Sequence, residues 1–264
     1  MNGKFDFVCL GSMDCYPKAG NDSSAYVIDG HILIDTSYST VCNLLNCGID
    51  PLSIDTIIFT HLHADHYMGL SQFLYYFYGH GCKALDGRLT IITPPDDFDA
   101  ILEAAIEYFR HDAIHLSIYE RSRIGNPTVI KLGERGTLRY GDYEISYIPS
   151  LHAVPGRCYM IRNASGRTIG FSGDTTYFPE LETFFSGADA LVFENSFFNV
   201  EHEPNQFPGH SSAHDAGRVA AAANVGRLLL VHSRMLDRES AMECAANYYK
   251  GDISYPVLGT KGQL

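Results

Sequence analysis

The 264-residue sequence predicts a layered α/β protein in which two β-sheets pack together with helices on the outside. Three observations lead there. Strand-sized apolar runs recur in both halves of the chain, and helix-periodic segments are interspersed among them. No repeat, low-complexity tract or Pro/Ser-rich linker divides the sequence, so one continuous domain over 1–264 is expected. With 45% hydrophobic and 19% charged residues, there is ample apolar material for a core.

Each element has its own signal. KFDFVCLG alternates apolar and polar residues as a strand does. SSAYVIDGHILIDTS is two apolar runs around Asp29-Gly30, a dipeptide suited to the positive φ angles of a tight hairpin turn. IDTIIFT is a buried strand that stops at a cluster of histidines. Leu70, Phe73, Leu74 and Phe77 then repeat at helical spacing, and the aromatic run 73–78 reads as core packing plus a pocket wall. LTIIT is a further strand, followed by a helix with Asp96 and Asp97 at its N-terminus, running to about residue 110. In the second half, RYGDYEISYIPS and CYMIRNASGRTIGFSGDT read as strands and a hairpin turning at Ser165-Gly166. The strand ALVFEN, the Ala-rich helix HSSAHDAGRVAAAANV and the strand RLLLVHS follow. A helix over about 239–249 and the strand ISYPVLG close the chain.

Composition excludes several classes. No apolar stretch approaches the roughly 18 residues of a membrane span. MNGKFDFVCLG enters its alternating pattern directly, so no signal peptide is expected. The seven cysteines are odd in number and contain no CxxC, which fits a reducing cytoplasm better than a disulfide framework. A formal charge of −12 argues against broad binding of nucleic acid or anionic lipid. Residues 121–167 reverse the sign, with 8 basic against 3 acidic side chains. They read as an ordinary solvated face, with a second reading as cations for an anionic substrate.

The chemistry concentrates in Thr60-His61-Leu62-His63-Ala64-Asp65-His66, three imidazoles and a carboxylate directly after an apolar strand. Imidazole and carboxylate are the ligand set of zinc and similar divalent ions, and a loop at a strand end can turn all four inward. His152, Asp174 and His232 each lie at the C-terminal end of a later apolar strand. Seven donors then converge, enough for two metals with one carboxylate shared.

HxHxDH followed by a lone His, a Gly-Asp and a last His resembles the dinuclear signature of the metallo-β-lactamase fold superfamily, over nearly the whole chain. The resemblance implies a four-layer αβ/βα sandwich. It also implies His61, His63 and His152 on one metal, Asp65, His66 and His232 on the other, and Asp174 as the bridge. FENSFF and GHSSAHDAGRVAAAANVGRLLLVHS are similar to the ribonuclease Z branch, as are LGSMDCYPKAGNDSSAYVID and LHAVPGRCYMI. That branch implies a catalytic histidine at His210, held by an acidic partner at Glu194; Asp65, beyond ligating, is expected to orient the attacking hydroxide. The branch also carries a long arm that grips transfer RNA between the positions matching His152 and Asp174. Here only 21 residues separate them.

The expected protein is therefore a binuclear hydrolase with two divalent ions per chain, zinc before Mn2+ or Fe2+, acting as a phosphodiesterase. Its substrate is a small or short phosphodiester, without tight transfer-RNA binding or a membrane, and a dimer is the expected assembly. An acyl hydrolase of the same fold, opening a lactone or thioester, is the alternative, and a non-catalytic metal-binding protein the third reading. No role is expected for His31, His80, His111, His115, His202 or His214.

Overall fold

The computed structural model describes residues 5–80, 87–110, 126–197, 209–233 and 238–263, with the side chains of Phe109 and Arg110 excepted. The first sheet holds β1 (Asp6–Gly11), β2 (Ala25–Ile28), β3 (Ile32–Ile34), β4 (Thr56–Ile58), β5 (Thr90–Thr93), β6 (Thr128–Lys131) and β14 (Lys261–Gln263). Its strand order is β14-β1-β2-β3-β4-β5-β6. The second comprises β7 (Gly136–Tyr140), β8 (Tyr143–Pro149), β9 (Arg157–Arg162), β10 (Thr168–Phe171), β11 (Ala190–Glu194), β12 (Arg227–Val231) and β13 (Asp252–Ser254). These run in the order β13-β12-β11-β10-β9-β8-β7. In each sheet, antiparallel strands give way to parallel ones, from β3 to β6 in the first and from β10 to β13 in the second.

The period of two along each strand sorts the core into layers. Phe7, Cys9, Tyr26, Ile28, Ile34, Ile58 and Ile92 face Tyr159, Ile161, Ile169, Phe171, Val192, Leu229 and Val231 of the second sheet. The alternate residues Leu10, Val27, Leu33, Ile57 and Ile91 pack under helices α1 (Thr40–Asn46), α3 (Gly69–Gly79) and α4 (Phe98–Arg110). Leu191, Phe193, Leu228 and Leu230 pack under α5 (Glu180–Phe184), α6 (Ala213–Ala222) and α7 (Arg238–Ala246). Strands covered on both faces must be apolar at every position, which is why these runs read as continuous. The result is the four-layer αβ/βα sandwich.

Local signals act as expected at several places. Asp29 and Gly30 both adopt positive φ, 50° and 73°, at the β2–β3 turn. Ser212 caps α6 in a reciprocal capping box with Asp215. Other details differ. The closing strand stops at Ser254, shortly before Pro256, whose carbonyl accepts from Ser12 Oγ instead of joining the ladder. β14 is a short polar edge strand with no apolar period to announce it. No helix among the described residues is long and apolar enough to cross a membrane.

Candidate metal centre

The two sheets bring their parallel strand ends to one rim. β3 ends at Ile34 and delivers Asp35, β4 delivers Thr60 and His61, and the one-turn helix α2 (Ala64–Tyr67) carries Asp65 and His66 with His63 at its N-cap. From the second sheet come His152 after β8, Asp174 after β10, Glu194 at the end of β11 and His232 after β12. His210 precedes the cap of α6. The rims are tied together: Arg157 N donates to Thr60 O at 2.8 Å. Gly173, beside Asp174, has φ +56°, and a Cβ there would sit 2.9 Å from Thr60 Cβ. Only glycine allows that approach of one sheet's loop to the other.

All seven expected ligands meet. His61 Nε2 and His152 Nε2 lie 3.1 and 2.9 Å from His63 Nδ1. Opposite them, His232 Nε2 lies 3.3 Å from His66 Nε2 and 3.4 Å from Asp65 Oδ2. Asp174 Oδ2 stands between the groups, 3.6 Å from His61 Nε2, 3.7 Å from His66 Nε2 and 3.3 Å from His232 Nε2. An ion with bonds of about 2.0–2.1 Å separates tetrahedral ligand atoms by roughly 3.3 Å, so the spacing fits coordination better than mutual hydrogen bonding.

The outward ring nitrogens are held by the protein. His152 Nδ1 donates to Gly209 O at 2.5 Å, and His66 Nδ1 to Asp35 Oδ2 at 2.8 Å. His61 Nδ1 lies 3.2 Å from Thr60 Oγ1, and His232 Nδ1 2.8 Å from Ser196 Oγ. Fixing Nδ1 aims Nε2 inward, where it can donate a lone pair once its proton is lost to a cation, the arrangement typical of metal-bound histidine. Burial, reinforced by the neighbouring imidazoles, holds His61 and His63 below the usual histidine range. His152 is lowered by burial as well, against Asp174. Their neutral lone pairs point at one another, a repulsive arrangement unless a cation lies between them. The donor set fits divalent metal.

Two residues absent from the sequence reading complete the centre. Asp35, only 2% exposed, accepts from Thr60 N at 2.8 Å and Thr60 Oγ1 at 2.7 Å besides His66. Its signal was present in ILIDTS, a carboxylate at the end of an apolar strand like the others. Ser196 donates to Glu194 Oε2 at 2.7 Å while meeting His232 Nδ1, so one carboxylate supports two histidines. ENS carries no such signal.

His210 Nδ1 lies 3.1 Å from Glu194 Oε1 and 3.8 Å from Asp174 Oδ2. Asp174, His210 and His232 therefore also form a grouping able to hold an ion. The nitrogen facing Asp174 is already engaged by Glu194, which sets His210 apart from the seven. Glu194 is fixed in turn by Thr175 N at 2.7 Å. Burial opposes the charged form of His210, but Glu194 and then Asp174 push its pKa up to about 9.

The basic stretch contributes no cation to the cluster from its described residues. Lys131, Arg135 and Arg167 pair with Asp99, Glu180 and Asp189 at the surface, while Arg157 binds the Gly133 carbonyl. Among the histidines without a role, His31 bridges Asp55 and Tyr143, and His111, His115 and His202 lie outside the described residues.

A four-layer sandwich with a His/Asp cluster at the joined strand ends defines a metal-dependent hydrolase fold. The chain belongs to the beta-lactamase superfamily domain family, whose model matches residues 31–233. It is 28% identical over 243 residues to a ribonuclease Z of Shouchella clausii, covering 76% of this chain and 75% of that one. The crystal structure of the metallo-β-lactamase fold protein YhfI from Bacillus subtilis superposes with a TM-score of 0.82 at 18% identity, covering 99% and 100% of the two chains. A diphosphatase of the PhnP family superposes with a TM-score of 0.69 at 18% identity, covering 99% and 97%.

Proposed function

We propose that this protein hydrolyses a small or short phosphodiester with two divalent ions, zinc being the expected metal. His61, His63 and His152 would hold one ion, Asp65, His66 and His232 the other, and Asp174 would serve both. When bound, such ions supply an acidified water as nucleophile and positive charge against the phosphoryl oxygens. The chain's own residues do the rest. Asp65, its backbone carbonyl held by Ser23 Oγ at 2.8 Å, would orient the attacking water. His210 offers the proton. Glu194 engages Nδ1, which leaves Nε2 to protonate the departing oxygen, and the Glu194 carboxylate favours the charged ring.

The His210–Glu194 pair carries this reading. A protonated imidazole outside the ligand set is useful to an alkoxide leaving group. The named activities of the ribonuclease Z and diphosphatase relatives point the same way. Between His152 and Asp174 the chain makes only β9, a turn and β10, which supports weak, strongly salt-dependent transfer-RNA binding.

The test is His210→Ala in the metal-loaded protein, assayed on bis(p-nitrophenyl) phosphate, on diesters with poorer leaving groups and on a lactone panel. We expect unchanged metal content and a kcat lower by ~10²-fold or more on poor leaving groups, with a smaller loss on p-nitrophenolate. Full activity of the variant on every diester, or turnover of lactones alone, overturns the assignment.

A further inference from the structure

Helices α3 and α4 lie side by side, with Ser71 Oγ donating to Ala105 O at 2.7 Å. Met68, Ser71, Gln72 and Tyr75 recur at helical spacing along one, and Ile101, Ala104, Ala105 and Tyr108 repeat it along the other. With Tyr38 and Tyr67 these two stripes line a groove of about 610 Å³. That is the size of a small-molecule site, which commonly runs from about 300 to 1,000 Å³. The middle of each stripe is small and its ends are large. Ser71, Ala104 and Ala105 leave depth, while tyrosines and a methionine make the walls.

One end of the groove is built by chain segments that also carry the metal centre, and the Asp65 charge reaches its Tyr38. Tyr67 and Met68 follow Asp65 and His66 directly in the chain, and Tyr38 lies three residues beyond Asp35. The two segments are bonded together, Thr36 N donating to His66 O and Gly69 N to Ser37 O, both at 2.7 Å. Tyr38 is held by its hydroxyl, which donates to Cys15 O at 3.3 Å. Further out the walls stand in solvent: Met68 is 55% exposed, Tyr75 45% and Tyr108 83%. A cluster of large apolar side chains left open beside a reaction centre marks a surface that binds.

Charge narrows the occupant. None of the ten lining residues is charged, in a chain of net charge −12. An anion approaching along this groove meets no carboxylate among its described lining residues.

We propose that the groove is the subsite for a planar, uncharged aromatic group of the substrate, a nucleobase or an aryl ring, esterified to the phosphate handled at the metal centre. The proposal rests on the phosphodiesterase reading and names its substrate class. Tyrosine faces stack on such rings, the Met68 thioether packs at their edge, and Gln72, its Oε1 taken by Val41 N–H at 3.3 Å, brings an amide donor.

Three diesters with one leaving group test it on the metal-loaded protein: methyl, phenyl and thymidine 5′-esters of p-nitrophenyl phosphate. Cleavage of the methyl ester reports the reaction, and the ratio of kcat/KM values reports the groove. We expect the phenyl or thymidine ester, or both, to exceed the methyl ester by ~10-fold or more, chiefly through KM, the favoured ring identifying the natural group. Tyr75→Ala and Tyr108→Ala should bring the ratio toward one, and Tyr108→Phe, which keeps the ring, should retain it. Calorimetry should show thymidine monophosphate binding more tightly than methyl phosphate, with Tyr108→Ala removing the difference. Equal kcat/KM on all three esters overturns the groove while leaving the phosphodiesterase reading intact. Failure to cleave any diester counts against that reading instead. A Tyr108→Ala variant that turns a dimer into a monomer and keeps the ratio also overturns the proposal, showing an interface between copies.

Discussion

His61, His63 and His152 face Asp174 from one side and Asp65, His66 and His232 from the other, and the two groups differ in what stands behind them. The first is a group of imidazoles backed by Thr60 Oγ1 and the Gly209 carbonyl. Burial holds these rings neutral, ready to donate lone pairs. The second is laced with carboxylates. Burial again opposes charge on His66 and His232, but Asp35 and Asp174 outweigh it at His66, and Asp174 and Asp65 at His232, pushing both to about 9. Burial likewise opposes ionisation of Asp65, yet its bond to His232 and the charge of His66 hold it well below the usual carboxylate range. Without metal, then, one group is poised as a ligand set and the other is closed by its own protons. Metal binding should be simple at the first and an exchange of protons for cation at the second.

The largest effect should come from the residue the groups share. Asp174→Ala removes the oxygen common to both, so activity should fall to background and both ions should bind weakly, measured by elemental analysis after dialysis. His63→Ala should lose activity equally but spare the second group; loss of both ions from His63→Ala would break the comparison.

Next in size is Asp35→Asn. It removes the carboxylate that holds His66 Nδ1, and such supporting partners typically account for ~10–100-fold in metal affinity or activity. The loss should fall on the Asp65 group alone, seen by competition with a chromogenic chelator. An equal loss at both ions would mean that Asp35 acts through the fold and not through His66.

Proton linkage sharpens the contrast at smaller scale. Filling the second group must displace the proton charge that His66 and His232 share across their facing Nε2 atoms, so its affinity should weaken as pH falls below 9, while the first group's should change little around neutrality. Calorimetry in buffers of different ionisation enthalpy reads the protons released. The metal-free protein has its own pH dependence. A histidine raised to about 9 contributes stability that is complete below its unfolded pKa of about 6.5 and lost as pH rises through the folded value. The melting temperature of the chelated protein should therefore drop between pH 7 and 10. A flat profile would show that these rings are not charged in the folded state.

How far the sequence revealed this centre depends on where each residue sits. The seven clustered residues were legible because each follows an apolar strand, and a side chain just past such a strand lies at the rim. Asp35 met the same condition in ILIDTS. It lies outside the HxHxDH run, and its importance comes from His66 and Thr60, which only folding brings to it. The sandwich was legible from strand-sized continuous apolar runs such as β2 and β12, which strands covered on both faces require. α1 was not, since it is one short helix with no side-chain cap bond. The groove between α3 and α4 was hidden for another reason. Each stripe is a helical period like any other, and whether it closes on a neighbour or stays open depends on the small residues at Ala104, Ala105 and Ser71.

His232 holds a left-handed backbone conformation, φ 56°, as Asp35 does at 55°. Side chains other than glycine take that conformation at a cost of about 1–3 kcal/mol. Each marks the point where a strand is turned off so that its next side chain can face the other sheet. A glycine would make either turn with less strain and would leave the rim without its imidazole or carboxylate. At Asp35 the bonds accepted from Thr60 and His66, and at His232 the contacts to Ser196 and Asp65, offset that strain within the fold. His232→Gly or Asp35→Gly should therefore relax the turn, strand those partners and lower the melting temperature along with activity.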